Sequence, residues 1–214
     1  FHALSGADSM LVKTVKRVAA RTKGPVSVNL IAAERHADRV LCDLENIDLH
    51  GGMGIFEPQG RNTAAAVAVA AQVALADGDL LALVVPSDHE ITTTADFWKT
   101  IESGVEAAKA GRIVVFGIPP AHPETGYGYI EAGTAFDGRE DRDVRRFVEK
   151  PDSQKAESYL AAGNYFWNAG IFLFRGSVMR DAFLAHAPEI WSGVEKAMAG
   201  AERDETGLYL PEAD

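Results

Sequence analysis

Cysteine is almost absent from this chain: Cys42 is the single one in 214 residues. An intrachain disulfide and a cysteine-built zinc cluster are both excluded, and such usage fits a reducing cytoplasm. Long hydrophobic runs are missing too, because Pro, Gly or a charge breaks each apolar stretch. Nothing therefore argues for a signal peptide or a membrane as partner. Basic charge is scarce. Lys and Arg number 21 against 31 Asp and Glu, the formal net charge is -10, and no Lys/Arg-rich stretch occurs. A general nucleic-acid binder carries a basic face, so nucleic acid is not an expected partner. A small polyanion stays open, given local help from a cation, a few basic side chains or oriented backbone amides. Also lacking are a nucleophile elbow with a Ser-His-Asp site, an HExxH zinc motif and a Walker loop.

What is present is ordinary for a globular protein: 47% hydrophobic and 24% charged residues. The length suits one domain with a sizeable core. "SMLVKTVKRVAAR" has helical periodicity with Ser9 as cap, "PVSVNLIA" is a strand, "RHADRVLCDL" a helix and "GIFEP" a short strand closed by Pro58. "RNTAAAVAVAAQVALADGD" is a helix capped by Asn62 or Thr63, with Gly78 just past its end. It is apolar on nearly all faces and therefore buried. "LLALVVP" is a strand covered on both faces, "TADFWKTIESGVEAAKAG" a helix and "RIVVFGI" a strand. This alternation is the sign of a layered α/β fold with a mainly parallel sheet. Residues 122–175 change character. "YGYIEAG", "VRRFVEK" and "GIFLFR" are strands with one short helix, "SQKAESYLAAG", between them. They are expected as a mixed or antiparallel flap built onto the same sheet. The tail is helical and interrupted at Pro188.

Several chemistry-bearing clusters fall at strand ends, where ligands of open α/β sheets bind. Asp88 and His89 follow "LLALVVPS". Asp88 is either the side chain of an Asx turn or a carboxylate for magnesium, an ion held by one or two carboxylates plus phosphates. His89 is a poor magnesium ligand and either orients the turn or faces solvent. "EPQGRNTAAA" is either a turn and a capped helix, or a nucleotide site made from helix amides and the Arg61 fork. Gly126 and Gly128 flank Tyr127, which fits a hairpin entry or close approach of a ligand. Glu149 and Lys150 end a strand at Pro151. Strand neighbours point to opposite faces, so they are expected not to form a simple surface ion pair. Asn168 lies inside the apolar "YFWNAGIFLF", where an amide needs a partner. Glu140, Asp141 and Asp143 form an acidic cluster better read as a solvated loop than as a metal site.

In this order the motifs are more specific than any one alone. "EPQGRNTAAA", "VVPSDHEI", "FGIPPAHPETGYGYIEAG", "RFVEKPD" and "YFWNAGIFLFR" closely resemble successive motifs of the mannose-1-phosphate guanylyltransferases. The resemblance is to the bacterial type, often fused to a mannose-6-phosphate isomerase domain. It implies a Rossmann-like three-layer α/β/α sandwich of the nucleotide-diphospho-sugar transferase type. It also implies an enzyme that forms GDP-mannose and pyrophosphate from GTP and mannose 1-phosphate. Magnesium is the implied cofactor, the cytoplasm the implied location, and a homodimer a compatible state. Carried over by motif, Asp88 is the magnesium ligand and acts with Lys150 in catalysis, Lys150 holding the sugar phosphate. Glu57, Arg61, Asn62 and Thr63 surround the nucleotide. Gly126, Tyr127 and Gly128 line the sugar pocket, while Glu149 and Asn168 hold the sugar. On this basis residues 1–214 are one nucleotidyltransferase domain, with 1–120 its nucleotide half and 121–214 its sugar half. The family opens with a Gly-rich segment resembling GGxGTRLWPLSR and continues to one resembling S-x-D-Y, and neither is found here. The expectation is a core incomplete at both ends. Two other readings stand beside the enzyme: a binding or regulatory module without catalysis, and a hexose-1-phosphate nucleotidyltransferase using another base.

Overall fold

The computed structural model describes residues 8–21, 24, 26–45, 47–60, 62–135 and 141–212. Helix α1 (Met10–Ala19) begins where expected, with Ser9 Oγ accepting from Val12 N at 3.3 Å. Strand β1 (Leu30–Ala33) is shorter than its apolar run, and a 3-10 turn leads from it into α2 (Ala37–Leu44). Then follow β2 (Gly54–Glu57), α3 (Asn62–Ala76) and β3 (Leu81–Val84). The helix expected over 94–111 is split into α4 (Thr94–Ser103) and α5 (Val105–Lys109) at Gly104. Glycine is a weak helix former, and a Cβ here would sit 3.0 Å from Val114 Cγ1. Strands β4 (Val114–Ile118), β5 (Tyr129–Ala135) and β6 (Arg142–Val148) precede α6 (Ser153–Ala162) and the long β7 (Tyr165–Arg175). Helices α7 (Gly176–His186) and α8 (Pro188–Ala199) break at Pro188 as read from the sequence. Two short strands, β8 (Glu202–Arg203) and β9 (Leu208–Tyr209), were not anticipated.

The strands form two sheets. In one, β1, β2 and β9 run parallel and β8 closes it antiparallel. In the other, β7 runs antiparallel to β3, β4 and β5, and β6 adds to β5. Parallel pairing is thus confined to the first sheet, because β7 inserts between β3 and β4 and runs against both. The expected antiparallel flap is present as β5, β6 and β7, but it joins β3 and β4 only and not the parallel strands β1 and β2, so the one continuous, mainly parallel sheet expected is replaced by two.

Alternation along the strands divides the core between two helix layers. Ile55 of β2 and Phe174 of β7 face α3, α7 and α8, with Val69, Met179 and Trp191. Phe56 of β2 faces α1 and α2, with Leu11, Val15 and Val40. Ile171 and Leu173 of β7 face α4 and α5, with Phe97 and Ile101. Three layers result, helices on both faces of the sheets. Helix α3 meets the expectation of burial: Val67, Ala68, Val69, Ala71 and Ala74 are all buried. No described helix is long and apolar enough to cross a membrane.

Candidate functional site

Strands β3 and β5 share one edge of β7 but use different stretches of it. β3 pairs Phe172–Arg175, and β5 pairs Tyr165–Trp167. Between them β7 presents Asn168, Ala169, Gly170 and Ile171. The carboxyl end of β3 and the start of β5 both arrive at this gap. Gly170 has φ +65, and a Cβ there would lie 3.2 Å from Pro86 Cγ. That close approach, in a conformation only glycine adopts without strain, seats the "PSDH" turn against β7. From the other side, Gly128 O accepts from Asn168 N at 2.7 Å.

The loop before β5 is held from within. Tyr129, fully buried, accepts from Glu124 N at 3.0 Å and donates to Glu124 O at 2.8 Å. Glu124 Oε1 in turn accepts from Gly126 N. Gly128 packs directly on the end of β6. A Cβ there would fall 2.8 Å from Phe147 Cζ and 2.9 Å from Glu149 Oε2. Tyr127 O accepts from Lys150 N at 3.2 Å. The two alternate glycines thus include one, Gly128, that the packing requires. Asp88, Gly126, Tyr127, Gly128, Glu149, Lys150 and Asn168 all belong to the segments that meet at this gap.

One expectation is corrected here. Glu149 and Lys150 do pair, with Lys150 Nζ 3.8 Å from Glu149 Oε1. Alternation of faces does not apply to them, because β6 ends at Val148 and Lys150 has φ +43. Both side chains are exposed, so this ion pair contributes little to stability and both ends stay available to a ligand. The end of β6 is braced instead by Tyr165. Its hydroxyl donates to Glu131 Oε2 at 2.8 Å and accepts from Arg146 Nη2 at 2.6 Å, which ties β5, β6 and β7 together.

Asp88 does not behave as an Asx turn residue. No described backbone N–H donates to its carboxylate, its side chain is 85% exposed, and its neighbour His89 Nε2 stands 4.0 Å away. Among the described residues no three His, Cys, Asp or Glu side chains cluster to hold a metal. A lone outward carboxylate fits an ion that takes one or two protein ligands and completes its shell with phosphates and water. Asn168 spends its Oδ1 on Gly170 N at 3.1 Å, which leaves its amide nitrogen for a ligand. The acidic run is not a loop throughout: Asp143 stands in β6 and pairs with Arg112 at 2.9 Å, Asp141 directly precedes the strand and has its own interactions, and Glu140 lies outside the described residues.

Glu57 belongs to a second place. It ends β2, is 9% exposed, and lines a cavity of about 260 Å³ with Pro58, Ala65, Val69, Ile190 and Leu210. Neither Asp88 nor any residue of the β7 gap lines that cavity. No described group donates to the Glu57 carboxylate, and burial raises its pKa above the ordinary carboxyl value. A buried carboxylate without a described partner costs stability. Asn62 and Thr63 are exposed at the start of α3, and Asn62 has φ +66. Arg61 lies outside the described residues.

Glu57→Gln should therefore stabilise the chain at neutral pH. Its raised folded pKa means the folded state disfavours the charged form. The penalty is absent below the ordinary carboxyl value, grows as pH rises toward the folded pKa, and is complete above it. The gain should be on the order of 1 kcal/mol, or about 2–4 °C in Tm, at pH 7, and should vanish below about pH 4. Thermal melts of both proteins across that range check it; an equal gain at all pH values would deny the titration.

Sequence reasoning missed the aromatic cluster beside this gap. Trp167 meets His122 at 5.0 Å and Tyr127 edge-on at 5.5 Å. The signal was available, since Trp167 directly precedes Asn168 and sits opposite Tyr129 in register. It also missed Arg17, whose burial shows only when α1 is docked.

The nucleotidyl transferase family profile matches residues 1–207. The xanthan biosynthesis protein XanB of Xanthomonas campestris pv. campestris is 42% identical over 208 residues, which are 95% of this chain and 43% of that protein. The mannose-1-phosphate guanylyltransferase RfbM of Salmonella typhimurium is 41% identical over 208 residues, with the same coverage of 95% and 43%. The chain thus spans less than half the length of these curated relatives. Among solved structures, a mannose-6-phosphate isomerase from Helicobacter pylori superposes with a TM-score of 0.82 at 29% identity, covering 95% of this chain and 76% of that one. With a profile spanning nearly its whole length and a matching fold, this chain belongs to the nucleotidyl transferase family.

Proposed function

We propose that this chain is the core of a mannose-1-phosphate guanylyltransferase, which makes GDP-mannose and pyrophosphate from GTP and mannose 1-phosphate. The observation that carries this reading is the convergence on the middle of β7 of the turn that bears Asp88 and of the glycine-lined loop whose Tyr127 O accepts from Lys150 N. The 41% identity to a Salmonella typhimurium protein of that name supports the choice of sugar and base. Magnesium as cofactor, a cytoplasmic location and a homodimer belong to the same reading.

In this mechanism a sugar-phosphate oxygen attacks the α-phosphorus of GTP, forming the new P–O bond as the bond to pyrophosphate breaks. No protein nucleophile is needed. The chain's task is to bring two anions together and hold them in line. Lys150 meets the sugar phosphate and offsets part of the repulsion. Glu149 accepts from mannose hydroxyls, and the free amide nitrogen of Asn168 donates to the sugar. Gly126 and Gly128 let backbone approach the ring, with Tyr127 beside it. Asp88 would hold magnesium, which would supply neutralisation of phosphate charge there. Glu57, Arg61, Asn62 and Thr63 surround the nucleotide.

Calorimetric titration of GDP-mannose into the 214-residue chain, with and without magnesium, tests the proposal against UDP-glucose as control. Selective binding that magnesium strengthens is the expected outcome. Equal affinity for UDP-glucose would point to another base or sugar, and no binding of either would remove the site assignment.

A further inference from the structure

Arg17 is the most deeply buried cationic side chain on α1, at 6% exposed. Burying a guanidinium is expensive unless its donors are met, and no described carboxylate lies within ion-pair range of it. Its partners are oxygen dipoles. Nη2 donates to Thr14 Oγ1 at 2.8 Å and reaches His89 O at 3.4 Å, and Nη1 reaches Ile91 O at 3.5 Å. The Phe97 ring lies 5.5 Å below the guanidinium. Trp98 Nε1 donates to Arg17 O at 2.9 Å, which fixes the backbone that bears it. Thr14 is itself buried and sets the fork's direction.

The two loop carbonyls that face Arg17 belong to the "DHEI" stretch and flank Glu90. A second tie lies between them, where Lys13 Nζ stands 3.6 Å from Glu90 Oε1. Helix α1 is therefore the back wall of the loop after β3. Carbonyls of His89 and Ile91 turn inward to it while the Asp88 carboxylate stands in solvent. A loop with only exposed side chains would sample many conformations. The inward cation selects one of them, at the cost of its own burial.

We propose that Arg17 is a positioning residue: it fixes the 86–91 loop from behind, so that Asp88 meets a divalent cation in one geometry. This rests on the reading of Asp88 as the cation ligand. Arg17 touches neither cation nor substrate and acts through the backbone of His89 and Ile91. Groups acting at one remove from a ligand commonly change cation affinity by about 10–100-fold.

The test uses the full chain with Arg17→Met, Arg17→Lys and, as a milder change, Thr14→Val. Two readouts are taken beside Tm: hydrogen exchange of the 87–91 amides, and the gain in GDP-mannose affinity that magnesium confers. For Arg17→Met we expect exchange in 87–91 to rise tenfold or more and the magnesium gain to fall about tenfold, with magnesium-free affinity unchanged. Arg17→Lys should restore part of both, and Thr14→Val should shift both in the same direction by less. A lower Tm with the full magnesium gain retained would make Arg17 merely structural and overturn the inference alone. No magnesium gain in the unaltered chain would instead overturn the reading of Asp88, and this inference with it. If Arg17→Met does not fold, the Lys and Val variants decide by the same two readouts.

Discussion

Phe174→Ala should destabilise the chain by about 3–5 kcal/mol, a fall in Tm on the order of 10 °C. Phe174 is completely buried at the point where β7, β3 and α3 meet. It pairs with Ala82 in register, so its neighbour across the sheet is small and cannot fill the space it leaves. Val69 and Ala71 on α3 are also short side chains on a rigid helix. The cavity would stay open, and the cost is the lost transfer free energy plus the unfilled volume. Consequences should reach the site, because β7 is the strand against which both the β3 loop and the start of β5 are placed. Denaturant unfolding measures the loss directly. A loss below about 1 kcal/mol would mean that α3 can collapse onto β7, contrary to the packing described here.

Local signals read well wherever one segment decides its own structure. Ser9 caps α1, Gly78 with φ +95 follows α3, and Pro188 opens α8 because it cannot continue α7. The buried character of α3 was legible from its Ala and Val alone. Where tertiary pairing decides, the sequence was silent. The two-residue strands β8 and β9 exist only because β9 finds the edge of β2. The antiparallel run of β7 against β3 and β4 depends on partners 88–94 and 49–59 residues earlier, which no periodicity reports.

The site follows the same division. That Pro86 and Gly170 would touch could not be read from either segment, although each is unusual by itself. The motifs told which residues to gather, and the fold explains how: Gly128 is small because Phe147 and Glu149 stand where its Cβ would be. The rule of alternating strand faces failed at Glu149 and Lys150 because both lie past the end of β6. Glu57 stood in the quoted motif, yet its burial without a partner depends on α8 and Leu210, more than 130 residues on.

Asp88→Asn is expected to abolish the magnesium-dependent gain in GDP-mannose affinity, and to lower nucleotidyl transfer by the protein that carries this chain on the order of 100–1000-fold. The substitution keeps size and hydrogen-bonding capacity but removes the charge, and a hard divalent cation with few protein ligands depends on that charge. Stability should hold. The side chain is 85% exposed and accepts from no described backbone amide, so Tm should move by no more than the equivalent of about 0.5 kcal/mol. Asparagine is as good as aspartate in an Asx turn, so a residue serving only the turn would leave both ligand binding and Tm untouched. The split between the two readouts therefore separates the readings. Lost magnesium response at constant Tm assigns Asp88 to the cation, whereas an unchanged response leaves the exposed carboxylate without a part in cation binding and moves the cation elsewhere in the fold.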